Sequence, residues 1–247
     1  QREKQNFTLK YAPNPVSEGA FSADGKNGLC YVGHLDNNGM EYVVRIKAIA
    51  KGGSVTYADG QLTVTNADEV SLLLTADTDY APNYNPDFTD NKAYVGVNPV
   101  NTTKHWMKNA VKTGFSKLFK QHYADYAALY NRVKFTLDGP TSTKPTNERL
   151  SDYRQGVKDA GLETLYYQYG RYLLIASSRP GNLPANLQGM WHNNVDGPWR
   201  VDYHNNINLQ MNYWPALPTN LTECAEPLTD FIRLLEKPGE RTAKAYW

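Results

Sequence analysis

Carboxyls, imidazoles, indoles and amides crowd into the stretch from Ser178 to Cys224, which has almost no regular apolar period. It holds Asp196, Asp202 and Glu223, with Glu226 just beyond, together with His192 and His204. It also holds Trp191, Trp199 and Trp214, and a run of amides that includes Asn205, Asn206 and Asn208. Aromatic rings stack on flat, weakly polar faces, and amides both donate and accept hydrogen bonds. A sugar ring presents both surfaces, so a sugar site is one reading of this composition. The other is a long, well-packed connection between helices.

Three of the four carboxyls have a competing use. Glu223 follows Asn220 by three residues, the spacing of a capping box at a helix start. Glu226 falls in the first turn of the same helix, where negative charge is favoured. Asp196 precedes Gly197-Pro198 and suits a turn. Asp202 alone stands beside the His-Asn cluster and is the candidate for a direct role in glycoside hydrolysis, which needs an acid on one face of the scissile bond and a base or nucleophile on the other. Trp191 and Trp199 are candidate sugar platforms, with core packing as the rival for each. Trp214, directly before Pro215, reads as core, and Arg179 and Gln188 read as loop architecture. His192 and His204 fit no metal-ligand spacing. Cys30 and Cys224 match no metal or redox motif, and a disulfide between them stays open. Ser177-Ser178 lies in no nucleophile elbow. No metal and no cofactor is expected.

The segments SSRPGNLPANLQGMW, NNINLQMNYWPA and TNLTECAEPL are long and of unusual composition, and PTNERL and GHLDNNGMEY extend the pattern toward the start. Together they resemble glycoside hydrolase family 95, the inverting α-L-fucosidases and their α-L-galactosidase relatives. The resemblance implies an N-terminal β-sandwich, a helical linker and an (α/α)6-barrel. It implies that an Asn-x-Asn pair, matched here by Asn206-Ile207-Asn208, holds the attacking water through its amide carbonyls. Capping of a short helix is the competing use of that pair. A Glu acid and an Asp partner are implied beyond Trp247, so that this stretch alone lacks the proton donor and forfeits the roughly 10²–10⁴-fold that acid catalysis contributes. His204 is implied to lie against the sugar, where a ring meets the methyl of L-fucose. L-galactose, with a hydroxymethyl there, is the alternative substrate. A carbohydrate-binding protein without catalysis and a purely structural module are the rivals from other classes.

The 247 residues carry a net charge of +1 and no basic cluster, which argues against a nucleic-acid partner. No aliphatic run is long enough for a membrane span. The 18 Tyr and 5 Trp suit carbohydrate or interface work. Neither end carries a start or stop signal, so the chain reads as an internal piece whose partners are a fucosylated glycan and the remainder of a longer chain. Its role suggests an extracellular or periplasmic setting.

The positioning elements divide into three parts. Residues 1–98 read as a partial β-sandwich. Tyr42, Val44, Ile46 and Ala48 alternate with Arg45 and Lys47, and Ala58-Asp59-Gly60 gives a hairpin turn before a strand through Val70, Leu72, Leu74 and Ala76. Residues 80–99 read as a loop. Residues 99–146 read as a helical linker: a helical region over about 103–133 with a stripe from Phe115 to Val133 that includes His122 as a packing residue, then a short strand at Lys134–Leu137 and a Gly/Pro/Ser/Thr connector. Residues 147–247 read as the first barrel helices. A helix over 162–177 carries Leu162, Leu165, Tyr166, Tyr169, Leu173 and Ala176, with Gly170 marking a close backbone approach. A short helix near Asn208 follows, and then one with Leu221, Cys224, Ala225, Leu228, Phe231, Ile232 and Leu235 on its apolar face. Asn6, Asn101 and Asn220 begin glycosylation sequons.

Overall fold

The computed structural model describes residues 3–90, 92–194, 197–205 and 207–247. The chain divides into two compact units, one of Gln1–Gln121 with Lys237–Trp247 and one of His122–Glu236.

In the first unit, strands β1 (Gln5–Lys10), β5 (Ser54–Ala58) and β6 (Gln61–Ala67) form one antiparallel sheet in the order β1-β6-β5. Strands β2 (Ser17–Ala23), β3 (Gly28–Leu35), β4 (Glu41–Lys51) and β7 (Glu69–Thr78) form a second in sequence order. Both follow from alternation with turn chemistry between. Asp59 and Gly60 join β5 to β6 at φ 47° and 73°, as a two-residue turn whose twist matches the strands requires. Leu29, Val44, Ile46 and Ala48 of one sheet pack on Leu62, Val64 and Ala67 of the other, so the layers form a sandwich.

The opposite face of β4 is not the solvated one its charges suggest. Helix α1 (Val100–Thr113) lies over it. Arg45, only 6% exposed, donates from Nε to Thr103 Oγ1 at 3.2 Å and from Nη2 to the Val100 carbonyl at 3.2 Å. The helical region expected over about 103–133 holds two helices. Gly114, at φ 76°, ends α1, and α2 (Phe115–Tyr130) follows. Along α2, Leu129 is buried while Phe115, Phe119 and His122 are exposed. His122 is thus not a core residue; its ring lies along Tyr126.

The second unit holds the end of α2, then α3 (Thr146–Arg154), α4 (Ala160–Ser177), α5 (Asn208–Tyr213) and most of α6 (Glu226–Tyr246). No strand forms at Lys134–Leu137, whose residues find no partner ladder. Helix α4 starts two residues earlier than expected because Asp159 caps it: Oδ1 accepts from the Leu162 N–H at 2.9 Å. Arg149 grips the same carboxylate at 2.8 and 2.9 Å and holds it far below the usual carboxylate range. The buried face of α4 is Leu162, Arg171, Leu174 and Ile175, whereas Leu165, Tyr166 and Tyr169 are exposed. With apolar groups on several sides, periodicity alone does not choose a face. Gly170 marks no close approach, since a Cβ there would meet no described atom within 4 Å. Cys30 and Cys224 are free and buried, one in each unit.

Candidate active site

The residues of the Ser178–Cys224 stretch are held by one buried polar hub. Ser178 is 0% exposed, and its hydroxyl donates to the Cys224 carbonyl at 2.8 Å. The Tyr213 hydroxyl lies 2.7 Å from Ser178 Oγ and accepts from the Ala185 N–H at 2.7 Å. Each hydroxyl has one proton. The direction is therefore fixed: Ala185 N–H to Tyr213, Tyr213 O–H to Ser178, Ser178 O–H to the Cys224 carbonyl. Burial pushes the Tyr213 phenol up, which keeps it a donor. Around the hub pack Leu129, Leu174, Ile175, Leu209, Ala216 and Leu221.

Three arginines brace this frame. Arg171, 2% exposed, donates to the carbonyls of Tyr130 at 2.8 Å and Leu129 at 3.1 Å, the open end of α2. Arg179 grips Asp125 at 3.0 and 2.7 Å, in keeping with an architectural role. Arg132 grips Glu223 at 2.8 and 2.7 Å and holds its carboxyl down at about 2. The expected capping box therefore does not form. Asn220 sits at φ 58°, and Leu221 precedes a short helical turn with no side-chain cap. A bidentate guanidinium outcompetes a backbone N–H for a carboxylate.

Many of the amides that suggested sugar contacts serve the loop itself. Asn186 donates to the Val201 carbonyl at 2.8 Å and accepts from the Gln188 N–H at 2.9 Å. Asn212 donates to the Asn186 carbonyl at 2.8 Å, and Gln210 to that of Asn205 at 2.8 Å. Gln188 Nε2 reaches the Pro198 carbonyl at 3.2 Å. Composition could not separate these amides from the unengaged ones, because the partners are backbone groups 2 to 26 residues away.

Of the candidate site residues, Asn206 and Asp196 lie outside the described residues. Asn208 is half-buried at the first position of α5. The N-cap is Ile207, whose side chain has no polar atom, and Leu209 N–H donates to the His204 carbonyl at 3.0 Å. His204 is half-buried, and Asp202 Oδ1 meets its Nδ1. Trp191 leans on Gly189, where a Cβ would come within 2.7 Å of the ring, and is 46% exposed. Trp199 is 70% exposed. Trp214, expected in the core, is 63% exposed; Tyr213 takes the buried place beside it. Glu226 is exposed in the first turn of α6.

The backbone here is strained. Trp199, Arg200 and Val201 run consecutively at φ 51°, 57° and 56°, and Ile207, between Asn206 and Asn208, is at 72°. Each costs on the order of 1–3 kcal/mol unless the surroundings enforce it, and such residues gather at functional sites. A pocket of about 250 Å³ is lined by Leu173, Ser177, Gln188, Trp191 and Asn212, among others, so Trp191 is the sequence candidate that lines it. Three buried side-chain atoms have no partner among the described residues, Arg171 Nε, Gln188 Oε1 and His192 Nε2, and no sequence signal marked them.

Residues 114–247 match the glycosyl hydrolase family 95 catalytic domain, and residues 1–83 the glycosyl hydrolase family 65 N-terminal domain. The chain belongs to glycosyl hydrolase family 95. This family 95 chain is 38% identical to Alpha-L-fucosidase 2 of Arabidopsis thaliana over 220 residues, 85% of the chain and 25% of that relative. It is 38% identical to Probable alpha-fucosidase A of Aspergillus niger over 213 residues, 83% and 27% of the two chains. The namesake from Aspergillus oryzae is 33% identical over 201 residues, 78% and 27%. The family 95 chain thus spans about a quarter of the length of these relatives.

The described carboxyls of the site are all engaged or remote: Glu223 on Arg132, Asp202 on His204, Glu226 at a helix start. The chemistry these residues can supply is positioning by neutral donors and acceptors. No helix among the described residues is long and apolar enough to cross a membrane.

Proposed function

We propose that the protein carrying this chain hydrolyses terminal α-L-fucosyl linkages in glycans, α-1,2 bonds among them, from the chain end and with inversion. Asn206 and Asn208 hold the water; His204, Trp191 and Trp199 face the sugar; and the helices of the second unit begin an (α/α)6-barrel. The single observation that supports this most is Asn208. Its amide stands at the first position of α5, one past the N-cap residue Ile207, and has no hydrogen-bond partner among the described residues. A side chain spared from structure beside a strained Ile207 is free to bind. Membership of family 95 and relatives named alpha-fucosidases support the substrate class.

In this reading the two amide carbonyls accept the water's protons and aim its lone pair at the anomeric carbon, while a carboxylic acid outside this site protonates the leaving oxygen. The partners are the glycan and the rest of the protein, and the setting is extracellular or periplasmic, where such glycans are met.

The test is fucose release from 2′-fucosyllactose, with the first-formed anomer read by NMR. We expect β-L-fucose first, and a loss of about 10²-fold in kcat for Asn208→Gly, the scale of misplacing a reactant. Full activity in Asn208→Gly, or α-L-fucose first, would sink the mechanism. Fucoside binding without hydrolysis by the parent protein selects the carbohydrate-binding reading instead.

A further inference from the structure

Asp202 was the one carboxyl that sequence left free for direct chemistry, and its geometry gives it a different task. Its Oδ1 meets Nδ1 of His204. An ionised carboxylate only accepts hydrogen bonds, so the ring proton in that contact sits on Nδ1. The other ring nitrogen, Nε2, has no hydrogen-bond partner among the described residues. It is also not sealed away, unlike Nε2 of His192. Which nitrogen of a histidine carries the proton is set by the bond the other one makes. A neutral ring fixed as Nδ1–H offers Nε2 as an acceptor and nothing else.

The rest of the loop keeps the pair in place. Asp202 follows the left-handed run Trp199–Val201, and its N–H donates to the Trp199 carbonyl. The His204 carbonyl is tied to Leu209 N–H at 3.0 Å, and Tyr203, between Asp202 and His204, donates to the Pro184 carbonyl at 2.8 Å and packs its ring at a tilt against Phe231. Backbone on both sides is anchored, so the ring's remaining freedom is rotation and tautomer. Asp202 removes both.

We propose that Asp202 is a positioning residue that locks His204 as the Nδ1–H tautomer, so that Nε2 accepts a hydrogen bond from a sugar hydroxyl. This rests on the reading above that His204 faces the sugar. It assigns the ligand group at that point: an O–H donor, not an oxyanion or a carboxylate, either of which would require a donor from the ring. Asp202 itself touches no substrate.

The experiment uses the protein that carries this chain, with two readouts. The first is the ¹⁵N NMR signature of the His204 ring, identified by its loss in His204→Ala. The parent shows Nδ1 protonated; Asp202→Ala shifts the proton toward Nε2; Asp202→Asn, which keeps an acceptor of the same shape, retains it on Nδ1. A parent ring protonated on Nε2 overturns the proposal.

The second readout is kcat/KM on 2′-fucosyllactose in a double-mutant cycle. Asp202→Ala lowers it about tenfold, His204→Ala at least as much, and the double variant no further than His204→Ala, because coupled residues are non-additive. A full tenfold loss from Asp202→Ala on the His204→Ala background overturns the proposal and makes Asp202 a direct participant. If His204→Ala is harmful and Asp202→Ala harmless, the proposal alone falls. If His204→Ala is harmless, the sugar-facing reading falls and takes the proposal with it. Thermal midpoints of the variants, expected unchanged because Asp202 is half-exposed, separate these outcomes from unfolding.

Discussion

The β unit and the helical unit bury their cores in opposite ways. Between the sheets, Leu29, Ala48, Leu62 and Ala67 reach 0% exposure through alternation alone, and nearly every contact is apolar. In the helical unit, the residues that converge come from α2, α4, the loop at Ala185, α5 and the turn at Leu221. What fixes their register is polar: the Tyr213–Ser178 hub and the carbonyls held by Arg171. A sandwich can be specified by a local two-residue period. An irregular site loop has no period, so it is specified by hydrogen bonds that are costly to leave unmade.

That contrast can be broken at several points. The largest effect is expected from Leu62→Ala, which removes a fully buried side chain from between the sheets. It should destabilise by about 2–5 kcal/mol, read as a fall in the urea midpoint, with amide exchange accelerating across β3, β4 and β6. An equal acceleration at Ala185 and Cys224 would mean that the two cores are not separately specified.

Tyr213→Phe removes one oxygen and leaves the Ala185 N–H and Ser178 Oγ without their partner. A cost of about 1–3 kcal/mol is expected, with exchange at Ala185 rising first. If the midpoint and the Ala185 rate are untouched, the hub does not set the loop.

The smallest effect concerns pH. Arg132 lowers Glu223 from 4.5 to about 2 in the folded protein. A depressed carboxyl stabilises fully above its unfolded value, so this contribution is complete above 4.5 and disappears as pH falls through 2. Both side chains are about a third exposed, which keeps the pair's worth modest. Glu223→Gln should flatten the slope of stability between those pH values and leave neutral stability little changed. An unaltered slope would show that the pair does not persist in solution.

The same contrast explains what was legible in the sequence. The Asp59-Gly60 turn and the alternation of β4 are local signals, and the strands lie where they point. The cover over Arg45 was not legible, because α1 is more than 50 residues away in sequence. Glu223 was misread for the same reason: its true partner, Arg132, is 91 residues away. On α4, apolar residues stand on several sides, so the sequence pattern favoured Tyr166 and Tyr169 over Leu174 and Ile175. In the site loop, His204 and Asn208 were singled out by the resemblance to family 95, whereas the use of Asn186, Gln188 and Asn212 on backbone carbonyls was not legible. The resemblance to family 95 was carried by whole motifs, and motifs survive where single side chains mislead.

Each unit also holds one free, fully covered thiol, Cys30 between strands and Cys224 at the hub. Burial pushes both above their ordinary range, and reactivity belongs to the exposed thiolate. Neither sulfur can meet a reagent until its own surroundings open. The molecule therefore carries two internal clocks, one per core, whose separate ticking rates report how often each half breathes.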